Sequence, residues 1–292
     1  MTPTLLAPPG HNTLPGFDRG WTVDGATEPF LSYVPDEPAV NWSDQLEAIH
    51  EESSRSHFID RWTRRAMLTA MGDPGGDAVI LDLGCSSGYL LEDLHAAHPQ
   101  ATLIGIDLIG AGLRRAHAQV PEARLLQADA GELPLADGSV DAALSANLLE
   151  HVSDDTRVLR ELRRVLRPKA SAVLVVPAGP QLYDYYDRFL GHQRRYARGE
   201  LAARARQAGL TPVAGHHLGS LLYPAFWLVK QRNRRRFDHL EGAALRARVE
   251  HDIANSRSSR AGAAACRIEE WLVDHGLRLP VGVRELIVLR AP

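Results

Sequence analysis

Short apolar runs recur along the middle of the chain and are separated by segments richer in polar residues. These runs predict buried strands at residues 79–83, 101–107, 123–129, 139–147 and 170–177. A helix is predicted directly after the first run, and Leu148 is predicted to open another after the fourth. Strands joined in this way pair in parallel, so the pattern predicts a doubly wound α/β sheet.

The remaining segments predict additions to this sheet. Residues 211–217 and 284–291 predict two further strands, with a helical insertion over about 222–277 between them, so residues 76–292 are expected to form one domain. Residues 1–42 are rich in Pro, Gly and Thr, which indicates an extended or partly disordered segment. Residues 43–75 predict a helical cap. The aromatic residues of the N-terminal part can pack on the body of the protein or cover a ligand: Trp21, Phe30, Tyr33 and Trp42.

The first strand runs into a turn bracketed by Gly84 and Gly88, and a helix follows at once. Glycine permits a close backbone approach to a ligand, and the first helical turn presents unpaired N–H groups, so the junction is typical of a nucleotide site. Asp82 would repel a pyrophosphate but attract a cationic amino-acid group, which S-adenosylmethionine carries. A tight strand-to-helix turn without a ligand is the alternative.

Polar residues also follow the next strands. Asp107 lies about 20 residues after the glycine turn, the usual distance for a group that holds ribose hydroxyls. Asp129 can accept a hydrogen bond from the adenine amine, and Asn147 ends the strand expected to face the sulfonium. Taken singly, Asp107 can be a helix N-cap and Asp129 a turn residue. Their joint position at successive strand ends favours one ligand site.

These motifs, in this order, resemble those of class I S-adenosylmethionine-dependent methyltransferases over roughly residues 75–215. Asp82 to Gly88 resembles the first motif, Gly105-Ile-Asp107 the second and Ala128-Asp129-Ala130 the third. Ser86 stands where many members have glycine. The resemblance implies a Rossmann-like sheet with an antiparallel terminal strand, S-adenosylmethionine as cofactor, and a cap over the cleft. The cofactor-binding residues expected are Asp82, Gly84, Cys85, Ser86, Gly88, Tyr89, Asp107, Leu108, Asp129, Ala130 and Asn147.

Residues 181–196 concentrate aromatic, acidic, histidine and arginine side chains, as active sites often do. The part from Gly191 to Tyr196 resembles a segment of bacterial methyltransferases associated with glycan or secondary-metabolite biosynthesis. We expect His192 to be the catalytic base, with His151 the second candidate and Tyr196 a further one. The substrate-binding candidates are Tyr186, Arg194, Arg195 and Trp227. A hydrogen-bonded lid with no catalytic part is the alternative.

The expected reaction is transfer of a methyl group to oxygen, or less readily nitrogen or carbon, of a small natural product or sugar-containing metabolite. One alternative is a lipid-linked or amphiphilic acceptor at a membrane, because residues 221–229 are apolar and 230–236 are basic. A core helix or a homodimer contact explains the same pattern. Two other classes are a non-catalytic adenosine-ligand subunit and a nicotinamide oxidoreductase, although the Gly-x-Gly-x-x-Gly spacing is absent.

Composition and net charge limit the possible protein classes and cellular locations. The chain has 292 residues, 45% of them hydrophobic, which is enough for a full α/β core. A net charge of −3 gives no general attraction to nucleic acid. Two cysteines form no disulfide framework and no signal peptide is recognisable, so the cytoplasm is expected. No metal site is predicted, since the adjacent His216 and His217 would point to opposite faces of a strand.

Overall fold

The computed structural model describes residues 5–34, 57–255 and 260–292, apart from the side chains of residues 253–255. The strands are β1 (Gly16–Phe17), β2 (Trp21–Val23), β3 (Ala26–Glu28), β4 (Leu31–Ser32), β5 (Val79–Leu83), β6 (Thr102–Asp107), β7 (Arg124–Gln127), β8 (Val140–Ala146), β9 (Leu166–Pro177), β10 (Thr211–Leu218) and β11 (Arg284–Arg290). The helices are α1 (Phe58–Met71), α2 (Tyr89–Ala97), α3 (Gly110–Gln119), α4 (Asp155–Val165), α5 (Tyr185–Phe189), α6 (Glu200–Gln207), α7 (Tyr223–Phe237), α8 (Gly242–Asn255) and α9 (Arg260–Asp274).

An eight-stranded sheet forms the centre of the fold, in the order β10-β11-β9-β8-β5-β6-β7-β4. The strands from β4 to β9 pair in parallel. The terminal strand β11 runs antiparallel to both of its neighbours, β9 and β10. The predicted doubly wound α/β sheet with an antiparallel terminal strand is therefore confirmed.

Apolar side chains cover both faces of this sheet. Val79, Leu81 and Leu83 of β5 pack in a core with α4 on one face, and Ile80 packs with α2 on the other. The alternation follows from the two-residue period of a strand. A strand buried on both faces reads as an apolar run, and Asp82 is the one polar residue within β5.

The prediction that a helix opens at Leu148 is wrong. Residues 149–151 form a turn, and α4 begins at Asp155. The side chain of Asp154 accepts a hydrogen bond of 3.0 Å from the backbone N–H of Arg157 and so caps the helix. Glu150 and His151 consequently lie in a loop at the carboxyl end of β8.

The N-terminal segment packs along the sheet. β4 pairs in parallel with β7, with Leu31 opposite Leu126, and β1 to β3 form a small separate sheet. Trp21 is 1% exposed, and its Nε1 donates to the carbonyl of Leu125 at 3.1 Å. These strands were not predicted because two or three residues are too few to show a period. Trp42 lies outside the described residues.

α1 is the described part of the predicted cap, since residues 43–56 lie outside the described ranges. Its Trp62 and Met67 are buried. Arg284, the first residue of β11, donates to Asp60 at 2.6 Å and to Thr63 at 2.8 Å. α1 is therefore fixed at the sheet edge where the parallel strands end.

The helices α7, α8 and α9 occupy the insertion between β10 and β11. In α7 the side chain of Lys230 is buried, whereas Trp227, Leu228 and Val229 are 43%, 65% and 53% exposed. Within the described ranges no helix combines the length and apolar character needed to cross a bilayer.

Candidate functional site

The candidate site lies where the chain order of the parallel strands reverses. β5 pairs with β6 on one side and with β8 on the other. A crevice opens outside the carboxyl ends of the strands at such a point, and ligands bind there. Gly84 follows β5 and Asn147 follows β8, so the predicted residues meet at this edge.

The turn after β5 needs left-handed backbone conformations. The φ angles of Gly84, Ser86 and Gly88 are 80°, 45° and 83°. A Cβ atom at Gly88 would lie 2.8 Å from the Cβ of Ala116 in α3, so glycine also permits close packing of α2 on α3. Ser86 adopts a conformation that suits glycine. Cys85 is buried in the apolar core on one face of the sheet.

Asp107 organises this turn from the end of β6. Its Oδ2 accepts a hydrogen bond from the N–H of Ser86 at 2.8 Å, and its Oδ1 accepts one from Ile109 at 2.9 Å. A carboxylate offers about four acceptor positions, so the same group can also accept bonds from ribose hydroxyls. The structure adds a loop-holding role that the sequence did not predict.

Asp82 is buried beneath the turn and is 1% exposed. Burial raises its pKa to about 8, and the charge of Asp107 acts in the same direction. Its Oδ2 has no hydrogen-bond partner among the residues that the structure describes. A buried carboxylate of this kind fits a ligand that brings its own positive charge, such as the amine of S-adenosylmethionine.

The other predicted cofactor residues lie along the same edge. Asp129 is exposed after β7, where its Oδ1 accepts a hydrogen bond from Gly131 at 2.7 Å, and Ala130 is half-buried beside it. Asn147 has a φ of 53°, and its N–H donates to the carbonyl of Val175 at 2.9 Å. Two further residues are half-buried here: Tyr89 and Leu108.

Glu150, His151, Asp187 and His192 form a second polar group, called here the histidine cluster. The Nδ1 of His192 lies 2.9 Å from Oδ1 of Asp187, and its Nε2 lies 4.0 Å from Oε1 of Glu150. The rings of His151 and His192 meet edge to face, with centroids 4.7 Å apart. The structure thus brings together the two histidines predicted to be catalytic.

Asp187 is buried among cations. Arg195 lies 2.7 Å from its Oδ1, and Lys230 lies 3.2 Å from its Oδ2 and 2.6 Å from Asp184. Burial alone would raise the pKa of Asp187, but the hydrogen bond with His192 and the charges of Lys230 and Arg195 lower it below its usual range. Asp187 is therefore a fixed negative charge that orients the ring of His192.

Glu150 has a different environment. Its side chain is fully buried, and neither carboxylate oxygen has a hydrogen-bond partner within the described part of the chain. Burial raises its pKa, and the charge of His192, an interaction with the residue's own backbone N–H, and the charges of Arg284 and Arg195 act in the opposite direction. Glu150 is an unsatisfied acid beside His192.

Two predicted roles do not fit the geometry. Tyr196 is 0% exposed in the core, and its hydroxyl donates to Asp155 at 2.6 Å, so it does not reach an acceptor. Arg194 lies 3.1 Å from Asp155 and donates to the carbonyl of Ser153 at 3.0 Å. Both side chains hold the start of α4 instead of a substrate.

The other three substrate-binding candidates lie in different environments. Arg195 is 8% exposed and bound to Asp187, so it also serves an internal carboxylate. Tyr186 is half-buried, and burial raises its pKa to about 12, so its hydroxyl stays protonated and can donate. Trp227 lies on the outer side of α7, in an open groove of about 450 Å³ that Tyr223, Pro224 and Leu228 also line. Of the predicted substrate-binding residues, only Tyr186, which precedes Asp187 in α5, remains a candidate.

Sequence reasoning missed three charged residues of this region. Glu150 was passed over in favour of its neighbour His151, and Asp187 was one of several acids in a Tyr- and Asp-rich segment. Lys230 had the clearest signal, because it is one of two lysines in the chain and ends an apolar run. Lysine is almost never fully buried unless it is paired, so the burial of Lys230 goes with its contact to Asp184.

Comparisons with known proteins find similar methyltransferases. Residues 81–174 match the family described as a methyltransferase domain. A probable S-adenosylmethionine-dependent methyltransferase of Mycobacterium tuberculosis is 28% identical over 46% of this chain and 49% of its own length. The ubiquinone/menaquinone biosynthesis C-methyltransferase UbiE of Syntrophotalea carbinolica is 29% identical over 61% of this chain and 80% of its own.

Among solved structures, phosphoethanolamine N-methyltransferase 2 of Haemonchus contortus, in complex with S-adenosyl-L-methionine, aligns with a TM-score of 0.59. The identity is 13%, over 87% of this chain and 58% of that one, so the likeness concerns the fold. The chain spans about half the length of the curated relatives that it matches, 47% of one and 49% of another.

Proposed function

Because the chain carries a class I S-adenosylmethionine-dependent methyltransferase domain, we propose that it transfers the methyl group of S-adenosylmethionine to an oxygen atom of a small molecule. The acceptor class is a natural product or a sugar-containing metabolite. One observation carries the proposal: Asp82, a buried acid whose Oδ2 has no hydrogen-bond partner among the described residues, and His192, oriented by Asp187, lie at the same sheet edge.

The chain's own part in the reaction is to place and deprotonate the acceptor. The sulfonium supplies an activated methyl group when bound, so alignment accounts for much of the rate. The acceptor oxygen forms the new bond to the methyl carbon as the carbon–sulfur bond breaks, and the hydroxyl proton passes to the protein. In the tautomer that carries its proton on Nδ1, His192 donates a hydrogen bond from Nδ1–H to Asp187, which leaves Nε2 as the proton acceptor.

Oxygen is favoured over nitrogen by this histidine. The relatives and neighbours named above include a C-methyltransferase and an N-methyltransferase, so family membership alone does not choose the acceptor atom. An amine attacks with its own lone pair, whereas an alcohol must lose a proton as it attacks. An imidazole held by a buried carboxylate provides for that loss.

The direct test is a methyl-transfer assay with labelled S-adenosylmethionine and a panel of hydroxylated acceptors. Sugars, polyketide alcohols and phenols represent the proposed class, and matched amines and quinols represent the others. Label in an alkali-stable methyl ether supports the proposal. Label only in N-methyl or C-methyl products would contradict it.

Asp82 provides a prediction about the cofactor step. With a pKa of about 8 it is mostly protonated at pH 7, and a bound ammonium group favours the ionised form. Binding of S-adenosylmethionine at pH 7 should therefore release most of one proton, and affinity should rise between about pH 6 and pH 7.5. Calorimetry in buffers of different ionisation enthalpy measures this release. The variant Asp82→Asn should bind more weakly and release none, and equal release by both proteins would refute the assignment.

A second candidate acceptor is an amphiphile at a membrane surface. The observation that favours it is the exposed apolar side of α7, next to exposed Arg234, Arg235 and Arg236. Such a surface can bind acyl chains and anionic headgroups together.

This alternative predicts cosedimentation with anionic vesicles at low salt. Binding should weaken as salt screens the charges, and replacing Arg234, Arg235 and Arg236 by glutamine should weaken it by about 1 kcal/mol per residue. Replacing Arg160, Arg163 and Arg206 elsewhere on the chain is the charge-matched control. The amphiphile proposal would be contradicted if the parent does not bind the vesicles at low salt, or if the control variant loses as much vesicle affinity as the variant at residues 234–236.

A further inference from the structure

We propose that Glu150, His151 and His192 bind a divalent transition-metal ion. Binding of the ion is inferred from the side chains alone. Only the ion's role in activating the acceptor rests on the proposed function. One ligand atom from each residue lies within 4.8 Å of the other two. The three residues come from two loops, after β8 and after α5, so the tertiary fold brings them together.

The spacing suits a shared ion. His192 Nε2 and Glu150 Oε1 are 4.0 Å apart, too far for a hydrogen bond. Ligands about 2.0–2.2 Å from one ion lie roughly 3–3.5 Å from each other. The separations in the cluster, up to 4.8 Å, are wider than this, so the side chains would move inward to close the set around an ion.

Glu150 is an independent sign of a missing partner. It is fully buried, and its two oxygens receive no hydrogen bond from the described residues. Leaving a buried carboxylate unsatisfied is costly, and a cation would remove that cost.

Asp187 supports the site from outside. It holds Nδ1 of His192, which directs Nε2 inward, and a carboxylate in this position is the usual support of a metal-bound histidine. Its own charge is already balanced, since Asp184 and Asp187 face Lys230 and Arg195. Arg284 is likewise paired with Asp60. The charge left for an ion is that of Glu150.

The ligand types select the metal. Two imidazoles and one carboxylate suit Zn²⁺, Mn²⁺, Co²⁺ or Fe²⁺ better than Mg²⁺ or Ca²⁺, which prefer oxygen ligands. Three protein ligands leave coordination positions open, and a hydroxyl bound there ionises more easily. With the ion bound, His192 would act by holding it, and the ion would activate the acceptor oxygen.

The test uses the full chain after chelator treatment and dialysis, with Co²⁺ as the spectroscopic probe. We expect saturable visible d–d absorption at one equivalent, and competition by Zn²⁺. Glu150→Gln and His192→Ala should each weaken Co²⁺ binding by about 100-fold, and Asp187→Asn by roughly 10–100-fold. The double variant His216→Ala, His217→Ala is the matched control and should bind Co²⁺ as the parent does. Thermal melts check that each variant is folded.

Two outcomes would overturn the inference: no Co²⁺ or Zn²⁺ binding by the folded parent, or equal binding by Glu150→Gln and the parent. Methyl transfer in excess chelator separates this failure from that of the proposed function. Undiminished transfer would overturn the ion's role in activation and leave methyl transfer standing. Metal binding without methyl transfer to any acceptor would support the site and contradict the proposed function.

Discussion

The variant His192→Ala is expected to lower kcat by about 10²–10⁴-fold, while its affinity for S-adenosylmethionine stays close to that of the parent. The two effects differ because His192 lies in the histidine cluster and not at the glycine turn. Asp187 orients the imidazole at 2.9 Å, and the cofactor contacts expected at the glycine turn do not involve it. Loss of the imidazole ring removes activation of the acceptor hydroxyl in either case: when Nε2 takes its proton directly, and when Nε2 binds a metal ion that activates it. Steady-state kinetics and calorimetry measure the two quantities separately.

His275→Ala is the matched control, because His275 is exposed beyond α9 and should leave kcat unchanged. The size of the effect should depend on the acceptor. An alcohol needs deprotonation and should show the full loss, whereas a carboxylate arrives ionised and should show little. An unchanged kcat with an alcohol acceptor would return His192 to a structural role.

The second large effect concerns the ribose. Asp107→Ala is expected to weaken S-adenosylmethionine binding by about 100-fold or more, since two hydrogen bonds to a charged acceptor contribute about 1.5–3 kcal/mol each. Part of this loss is expected to come from the loop, because Asp107 also accepts hydrogen bonds from the N–H groups of Ser86 and Ile109.

A comparison of ligands isolates the ribose contribution. The parent should bind adenosine more tightly than 2′,3′-dideoxyadenosine, and Asp107→Ala should bind both equally. Asp137→Ala, at a side chain that is 81% exposed in another loop, should keep the parent's preference. A preference for adenosine that survives in Asp107→Ala would contradict the ribose assignment.

The cofactor half was predictable because its signals are local. Continuous apolar runs reveal strands that are buried on both faces, and a parallel sheet brings their carboxyl ends to one edge. The positions of Asp82, Asp107 and Asn147 at or near the ends of these strands therefore predicted that the three residues lie along one edge of the sheet. Glycine at 84 and 88 indicated the turn, and the φ angles of 80° and 83° supply the reason.

The catalytic half was less predictable because partners there are distant in sequence. Tyr196 and Arg194 carry residue types common in active sites, yet both are bound to Asp155, about 40 positions away. Nothing local distinguishes an arginine that binds a substrate from one that binds a buried carboxylate. Glu150 likewise became notable only when the fold placed it beside His192.

Calorimetric titration with S-adenosylmethionine and with NAD tests the central claim most directly, because cofactor identity separates the proposed transferase from a nicotinamide oxidoreductase before any acceptor is known. We predict saturable binding of S-adenosylmethionine at one site per chain, weakened in Asp82→Asn and Asp107→Ala, and no binding of NAD. Selective NAD binding, or a folded chain that binds neither ligand, would contradict the assignment of the crevice beside β5 and β8 as an S-adenosylmethionine site.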